Sequence, residues 1–396
     1  MRQYHRIIAI LGSLLLFYLA ASGTMIEALD LWAIGRAAPE SDVTMQSINE
    51  GKFGNGDYNA VTAADFSGQT LPAGLDVPEA MARVADGLRQ QRPDAAPDFV
   101  ELRMVDGRLI GQGRYGKDMV AVDVASGKAL AGVEVKPTYP PRSLRQTLKE
   151  WHRFWGPSVT LWRGDKPGVY IEFAAGLVLI ALMFTGLKHY WALYQMRRKI
   201  KKPHPFWKAG GTWRALHRSI AVASALLLAC TVLSGTMLGF ESTYHTFVPR
   251  PPKHEAELVA LDHVPAMAKA AVAVVAASDK DVPLRSLRLR NYYGYQQVAV
   301  VTGEEVTRQL VFNLANGAPM SLEAPHYPDS QFPFGMNVHE WVKHFHSGYL
   351  LGVPARVMTL LSGLALLYLT VSGVVIYFDM WRRRRDTGRA GFFWKG

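Results

Sequence analysis

Four stretches of the chain are apolar over a length that has only a few structural explanations. Residues 7–26, 219–240 and 357–378 contain no charged side chain, and residues 168–191 carry only Glu172 and Lys188, near the ends. Each stretch matches the roughly 20 residues a helix needs to cross about 30 Å of hydrocarbon. Glu172 and Lys188 sit where long side chains reach back to the interface. Between the apolar stretches the period changes. After the first, a polar, Gly-rich segment runs to about Asp76, and a helical stripe of Met81, Val84, Ala85 and Leu88 follows Pro78. Alternating strands are predicted at 99–104, 109–115 and 119–124, with turns at Asp106-Gly107 and Ser126-Gly127. The segment after the third stretch repeats this order: a helix opens at Pro265, and strands follow at 287–290, 295–302 and 310–314, closed by Asn316-Gly317.

The apolar stretches are themselves repeated. His5-Arg6 is followed after fifteen residues by Ser22-Gly23-Thr24-Met25, and His217-Arg218 is followed after fifteen by Ser234-Gly235-Thr236-Met237. Shared residues at both ends of two segments so far apart indicate duplication. The expected architecture is an integral membrane protein: an all-α four-helix transmembrane bundle built from two repeats, each repeat carrying one outer α+β module. The boundaries read as a helix at 5–29, a module at 30–150, a helix at 168–191 and a basic link at 192–212. The second half reads as a helix at 213–240, a module at 241–338, a helix at 355–381 and a basic tail at 382–396.

Charge placement orients this arrangement. The net charge is +11 over 396 residues. The stretch from Lys188 to Arg218 holds nine Lys or Arg and no acid, the start holds Arg2 and Arg6, and the tail after Phe378 holds six bases against Asp379 and Asp386. These parts carry +15 together, leaving the remainder, mostly the two long loops, at −4. Basic termini and a basic short link beside mildly acidic long loops follow the positive-inside pattern, with both termini cytoplasmic and the two long loops outside. The bases flank helix ends and form no separate domain, which argues against nucleic acid as a partner. The first segment also has signal-peptide features, including Ala20-Ala21-Ser22, but its apolar run continues to Ile26 and its counterpart at 217–237 is internal. The single cysteine, Cys230, lies inside a span and reads as packing.

The two His-Arg…Ser-Gly elements, and His346-Ser-Gly-Tyr-Leu-Leu-Gly-Val-Pro-Ala-Arg356 leading into the last helix, make the chain resemble the PepSY-associated transmembrane family. Tyr4, where Leu is usual, and the additional His189 depart from its pattern. The resemblance implies that the outer modules are PepSY domains and that the chain is similar to inner-membrane ferric-siderophore reductases carrying haem b between their helices.

The residues point the same way. A b-type haem needs two axial imidazoles and an apolar slot between helices, and histidines in or beside membrane spans are costly enough to imply function. With two haems, the expected iron ligands are His5 and His217 on the cytoplasmic side and, on the outer side, His152 with His346, the last chosen on the family resemblance. His339, His344 and His189 are the alternates; an ungapped match of Gly186 to Gly373 places His339, instead of His346, opposite His152. The competing readings are interfacial anchoring beside arginine for His5 and His217, and an aromatic belt for Trp151-His152-Arg153-Phe154-Trp155. His204, His254, His263 and His326 read as loop histidines. Gly23, Gly186, Gly235 and Gly373, each after Ser or Thr, suit either backbone approach to a flat macrocycle or helix–helix contact. Tyr292-Tyr293-Gly294-Tyr295 reads as packed strand aromatics, or as a contact for a ferric siderophore.

With no nicotinamide or flavin fingerprint, electrons are expected from quinol or a separate cytoplasmic donor, and the substrate is expected to be a ferric siderophore or other ferric chelate. Zinc, nucleophile–base and phosphate-loop patterns do not occur in the sequence. Two other classes compete: a non-redox PepSY membrane protein that binds or regulates a periplasmic protease, and a transporter of parallel repeats, which the charge-free span centres oppose.

Overall fold

The computed structural model describes residues 2–39, 42–52, 69–134, 143–154, 168–202, 204–248, 257–278, 282–292, 294–303, 308–319, 332–389 and 391–394. The chain divides into two units. The first comprises Met1–Trp32, Leu144–Arg250 and Ser330–Gly396, and the second Ala33–Ser143 and Pro251–Asp329.

The first unit is helical. Helix α1 spans Arg2–Gly35; a short α2, Val43–Lys52, and α3, Val77–Gln91, follow in the second unit. The first unit resumes with α4, Leu144–Phe154, α5, Gly168–Lys199, α6, Thr212–Ala223, and α7, Ala225–Phe247. Helix α8, Val264–Ser278, belongs to the second unit, and α9, Met336–His346, and α10, Val353–Asp386, complete the first. The third apolar stretch is therefore two helices, which meet at Ser224. Its hydroxyl donates to the Ile220 carbonyl at 2.6 Å, and its backbone leaves helical values at φ −94°, ψ 1°. In the first unit α5 packs on α7, α6 on α10, and α7 on both α9 and α10.

Among the described residues, five helices are long and apolar enough to cross a membrane: Arg2–Gly35, Gly168–Lys199, Ala225–Tyr244, Leu261–Ser278 and Val353–Asp386. Leu261–Ser278 is additional to the four stretches read from the sequence. Its Val264, Met267, Ala268, Ala271 and Val275 are buried at helical spacing in the core of the second unit. Runs of Ala and Val make this segment apolar, while Asp262, His263 and Lys269 keep it from reading as an uninterrupted span.

The second unit corrects the expectation of one separate sheet per loop. Strands β1 (Phe99–Val105), β2 (Arg108–Tyr115), β3 (Asp118–Asp123) and β4 (Ala129–Leu130) come from the first loop. Strands β5 (Leu284–Tyr292), β6 (Tyr295–Thr302) and β7 (Arg308–Asn313) come from the second. All seven form one antiparallel sheet in the order β4-β3-β2-β1-β5-β6-β7. The two sets join where β1 pairs with β5, setting Leu102 opposite Leu287 and Glu101 opposite Arg288.

Period-2 alternation sorts the side chains of this sheet. Val100, Leu102, Leu287, Leu289, Val298 and Val300 form the core with α3 and α8. A Cβ on Gly111 would lie 2.1 Å from Val84, so only glycine lets α3 approach β2 this closely. On the opposite face Glu101 is fully buried, accepting from Gln112 at 2.7 Å and from Arg288 at 3.2 Å, with Arg103 at 3.4 Å. Tyr292 ends β5 and Tyr295 begins β6 at a hairpin; Tyr293 lies outside the described residues.

Candidate functional site

Four histidines in the first unit share one local geometry. The His5 ring on α1 has Nδ1 at 3.1 Å from Thr185 Oγ1 on α5, and His152 on α4 has Nδ1 at 2.8 Å from Ser22 Oγ on α1. His217 on α6 has Nδ1 at 2.7 Å from Ser372 Oγ on α10, and His346 on α9 has Nδ1 at 3.0 Å from Ser234 Oγ on α7. In each case the residue after the hydroxyl is glycine. A Cβ there would lie 3.1 Å from His5 at Gly186, 3.3 Å from His152 at Gly23, 2.8 Å from His346 at Gly235 and 3.8 Å from His217 at Gly373. Gly186, Gly23 and Gly235 therefore make room for an imidazole to lie on the neighbouring helix, whereas at Gly373 a methyl would meet His217 at ordinary contact distance. The sequence-based choice between macrocycle contact and helix contact omitted this third role.

The hydroxyls also decide the tautomer. Ser22 donates its one proton to the Tyr18 carbonyl at 2.8 Å, Thr185 to Ala181 at 2.7 Å, Ser234 to Cys230 at 2.7 Å and Ser372 to Leu369 at 3.2 Å. Where that proton stays on its own helix, the hydroxyl oxygen accepts from the ring, which places the ring proton on Nδ1. For His346 a main-chain carbonyl agrees, Thr231 O standing 3.1 Å from its Nδ1. With Nδ1 protonated, Nε2 is left as a bare lone pair, the donor a metal takes. Burial, then the nearby His346 and Arg153, pushes His152 down to about 4, and burial lowers His346. Both rings are therefore neutral at pH 7.

His5 and His217 line a single cavity of about 520 Å³, together with their glycines Gly186 and Gly373. That volume falls within the roughly 300–1,000 Å³ of cofactor and ligand pockets. Leu16, Leu228 and Val232 make its deep wall apolar, while Arg2, Arg6, Arg214 and Arg218 stand at its basic end. His189, one turn beyond Thr185 on α5, also lines it.

The other alternates are engaged differently. His339 Nδ1 lies 2.7 Å from Glu241 Oε2, and its ring stacks on Phe332. His344 lies 3.8 Å from Glu340 and packs on Tyr349. The residue that shares the hydroxyl–glycine geometry of His152 is thus His346, whereas the ungapped match selects His339. The discrepancy arises because the connections between α4 and α5 and between α9 and α10 differ in length. His204 accepts from the Phe206 N–H at 3.1 Å, and His263 ends a short turn before α8; His254 and His326 lie outside the described residues.

Two groups of functional interest escaped the sequence reading. The first is a buried charge cluster: Asp30 on α1 accepts from Arg145 Nη2 of α4 at 3.0 Å and from Arg356 Nη1 of α10 at 2.6 Å, with Glu27 at 3.7 Å from Arg356. Arg145 precedes His152 by two helical turns, so α1 and α4 meet at two polar rungs. Helices α7 and α9 do the same through Ser234–His346 and Glu241–His339.

The second is a pair of arginine–tryptophan clamps in the segments expected to be plain basic link and tail. Arg218 donates to Trp207 O at 3.0 Å and stacks over that ring with Arg197 opposite, at 4.9 and 5.0 Å to the centroid. Arg6 donates to Trp394 O at 3.2 Å and stacks over its ring with Arg384, at 4.5 and 5.1 Å. Tyr190 and Tyr377 tie these segments down through the carbonyls of Pro205 and Phe392. The signal for them was present: Phe206-Trp207-Lys208 recurs as Phe393-Trp394-Lys395, at the same offset that carries Gly186 to Gly373.

No curated protein matches the chain. The family described as PepSY-associated TM region matches residues 2–383. With that match covering nearly the whole chain, and several helices apolar enough to span a bilayer, this multi-pass membrane protein belongs to the PepSY-associated TM family.

Proposed function

We propose that the chain is a four-helix, two-repeat membrane cytochrome of the b type that reduces a ferric siderophore or related ferric chelate on the outer side of a bacterial inner membrane. The observation that carries this is the fourfold recurrence of an imidazole whose Nδ1 is held by a hydroxyl of a neighbouring helix, which leaves Nε2 as the nitrogen a metal would take. A structural anchor needs no uniform tautomer, whereas an axial ligand does. In this reading His5 and His217 hold one haem, and His152 and His346 hold the other. Haem so bound supplies one-electron transfer at two depths. Ser22 follows His5 by seventeen residues on one continuous helix, which separates the two levels by ~25 Å, a distance on the scale of the bilayer core.

The spans are the helices built on the four apolar stretches; Leu261–Ser278 is assigned to the sheet core that its apolar face already fills. The basic end faces the cytoplasm. One electron from quinol or a separate cytoplasmic donor converts Fe(III) to Fe(II), which hard oxygen chelators hold more weakly and release. The protein's part is to fix the imidazoles, keep them neutral and exclude water from the span; no covalent catalyst is required.

The test is a visible spectrum of the purified protein, oxidised and dithionite-reduced, with its haem-to-protein ratio. A bis-imidazole b-type spectrum with about two haems per chain is expected. Folded protein from haem-replete cells that is colourless overturns the reading. The glycines add a graded check. In Gly235→Ala the new methyl would meet His346 at 2.8 Å and displace the ring, lowering haem occupancy at that pair, while Gly373→Ala, with 3.8 Å available, keeps its haem. Equal occupancy in the two variants would count against ring packing as the role of these glycines.

A further inference from the structure

The basic end of the cavity holds two kinds of arginine. Arg6 and Arg218 follow their histidines by one position and are occupied, each donating to a tryptophan carbonyl and stacked on its ring. Arg2 and Arg214 precede the histidines by three positions, which puts each on the same helix face as His5 or His217, one turn toward the basic end. They come from the same sequence, Arg-x-x-His-Arg, at 2–6 and 214–218. Both line the cavity, and their other contacts are weak. Arg2 reaches only the Met380 sulfur at 3.9 Å among the described residues, and Arg214 reaches Asp379 at a long 3.4 Å.

We infer that Arg2 and Arg214 bind two anionic arms of the cavity's ligand, one from each repeat, so that a planar apolar ring lies inward against the leucines and its two carboxylates point toward the basic end. This rests on the haem reading of the His5–His217 pair and deepens it, since haem carries two propionates on one edge. The arrangement fixes the ring's rotation within the cavity, which two axial imidazoles alone leave free. Arg6 and Arg218 are held by the tryptophans and take no part.

The test uses full-length apo-protein carrying His346→Ala, so that the basic-end site is read alone, titrated with iron protoporphyrin and with its dimethyl ester, which lacks the two charges. With native arginines the diacid should bind more tightly than the diester by about tenfold or more per arginine, as expected for charge-assisted hydrogen bonds. Arg2→Gln/Arg214→Gln should abolish that preference while binding the diester unchanged, and Arg2→Lys/Arg214→Lys should restore part of it. Equal binding of diacid and diester by the native arginines, or an undiminished preference in the glutamine variant, overturns the inference. If neither compound gives a bis-imidazole spectrum, the haem reading of His5 and His217 fails first, and the inference with it.

Discussion

His217→Ala is expected to leave the purified protein with about half of its haem, to abolish ferric-chelate reduction and to leave the second haem spectrally unaltered. The imidazole of His217 is held from two sides, by Ser372 Oγ at 2.7 Å and by the open surface over Gly373, and it shares its cavity with His5. Removing it leaves one ligand in an apolar slot with no second donor of the same geometry. His189 also lines the cavity, but it comes from α5 and not from α6. His346→Ala should remove the other haem, and the double variant should be colourless. Added imidazole should restore colour to His217→Ala, because the deleted ring leaves a space of its own size beside Ser372. Ser372→Ala should be milder, since the ring loses a hydrogen-bond partner but keeps its packing. A His217→Ala protein with full haem content and an unchanged spectrum would remove His217 from the ligand set.

Asp30→Asn is the substitution with the largest expected effect on stability. Asp30 is fully buried and accepts hydrogen bonds from Arg145 and Arg356, themselves almost fully buried, so one carboxylate joins α1, α4 and α10. Neutralising it removes the carboxylate shared by two buried guanidiniums, a situation that costs about 3–5 kcal/mol when a buried pair is broken. Thermal unfolding in detergent should show a large fall in the midpoint. The exposed pair Glu79–Arg83 provides the contrast, and Arg83→Ala should shift the midpoint little. The cluster lies two turns from the Ser22–His152 rung on both helices, so Asp30→Asn should also loosen the haem held by His152, whereas the His5–His217 site should be retained. An unchanged midpoint would mean that water reaches the cluster.

How much of this was legible in the sequence follows from what each feature depends on. The four apolar stretches, the helix-then-strands order of both loops and the duplicated His…Ser-Gly elements are local properties: length, period and identity, each set by residues adjacent in the chain. The membrane class and the family therefore came from the sequence alone. So did the four candidate histidines, together with the glycines that follow Ser or Thr.

Tertiary structure decided what depends on partners distant in the chain. Pairing of β1 with β5 turned two expected sheets into one, because an edge strand's hydrogen bonds are satisfied by whichever edge the fold brings beside it. Leu261–Ser278 qualifies as a span by composition, yet its apolar face is filled by the sheet core, a matter of packing that hydropathy does not register. The role of Gly235 required knowing that a histidine 111 residues later lies on it, and that histidine is His346, already favoured over His339 by the family resemblance. The hold on each Nδ1 depended on a hydroxyl from a helix distant in the chain. Composition can specify that a histidine is present near a membrane; which of its nitrogens is free is decided by the neighbours the fold supplies.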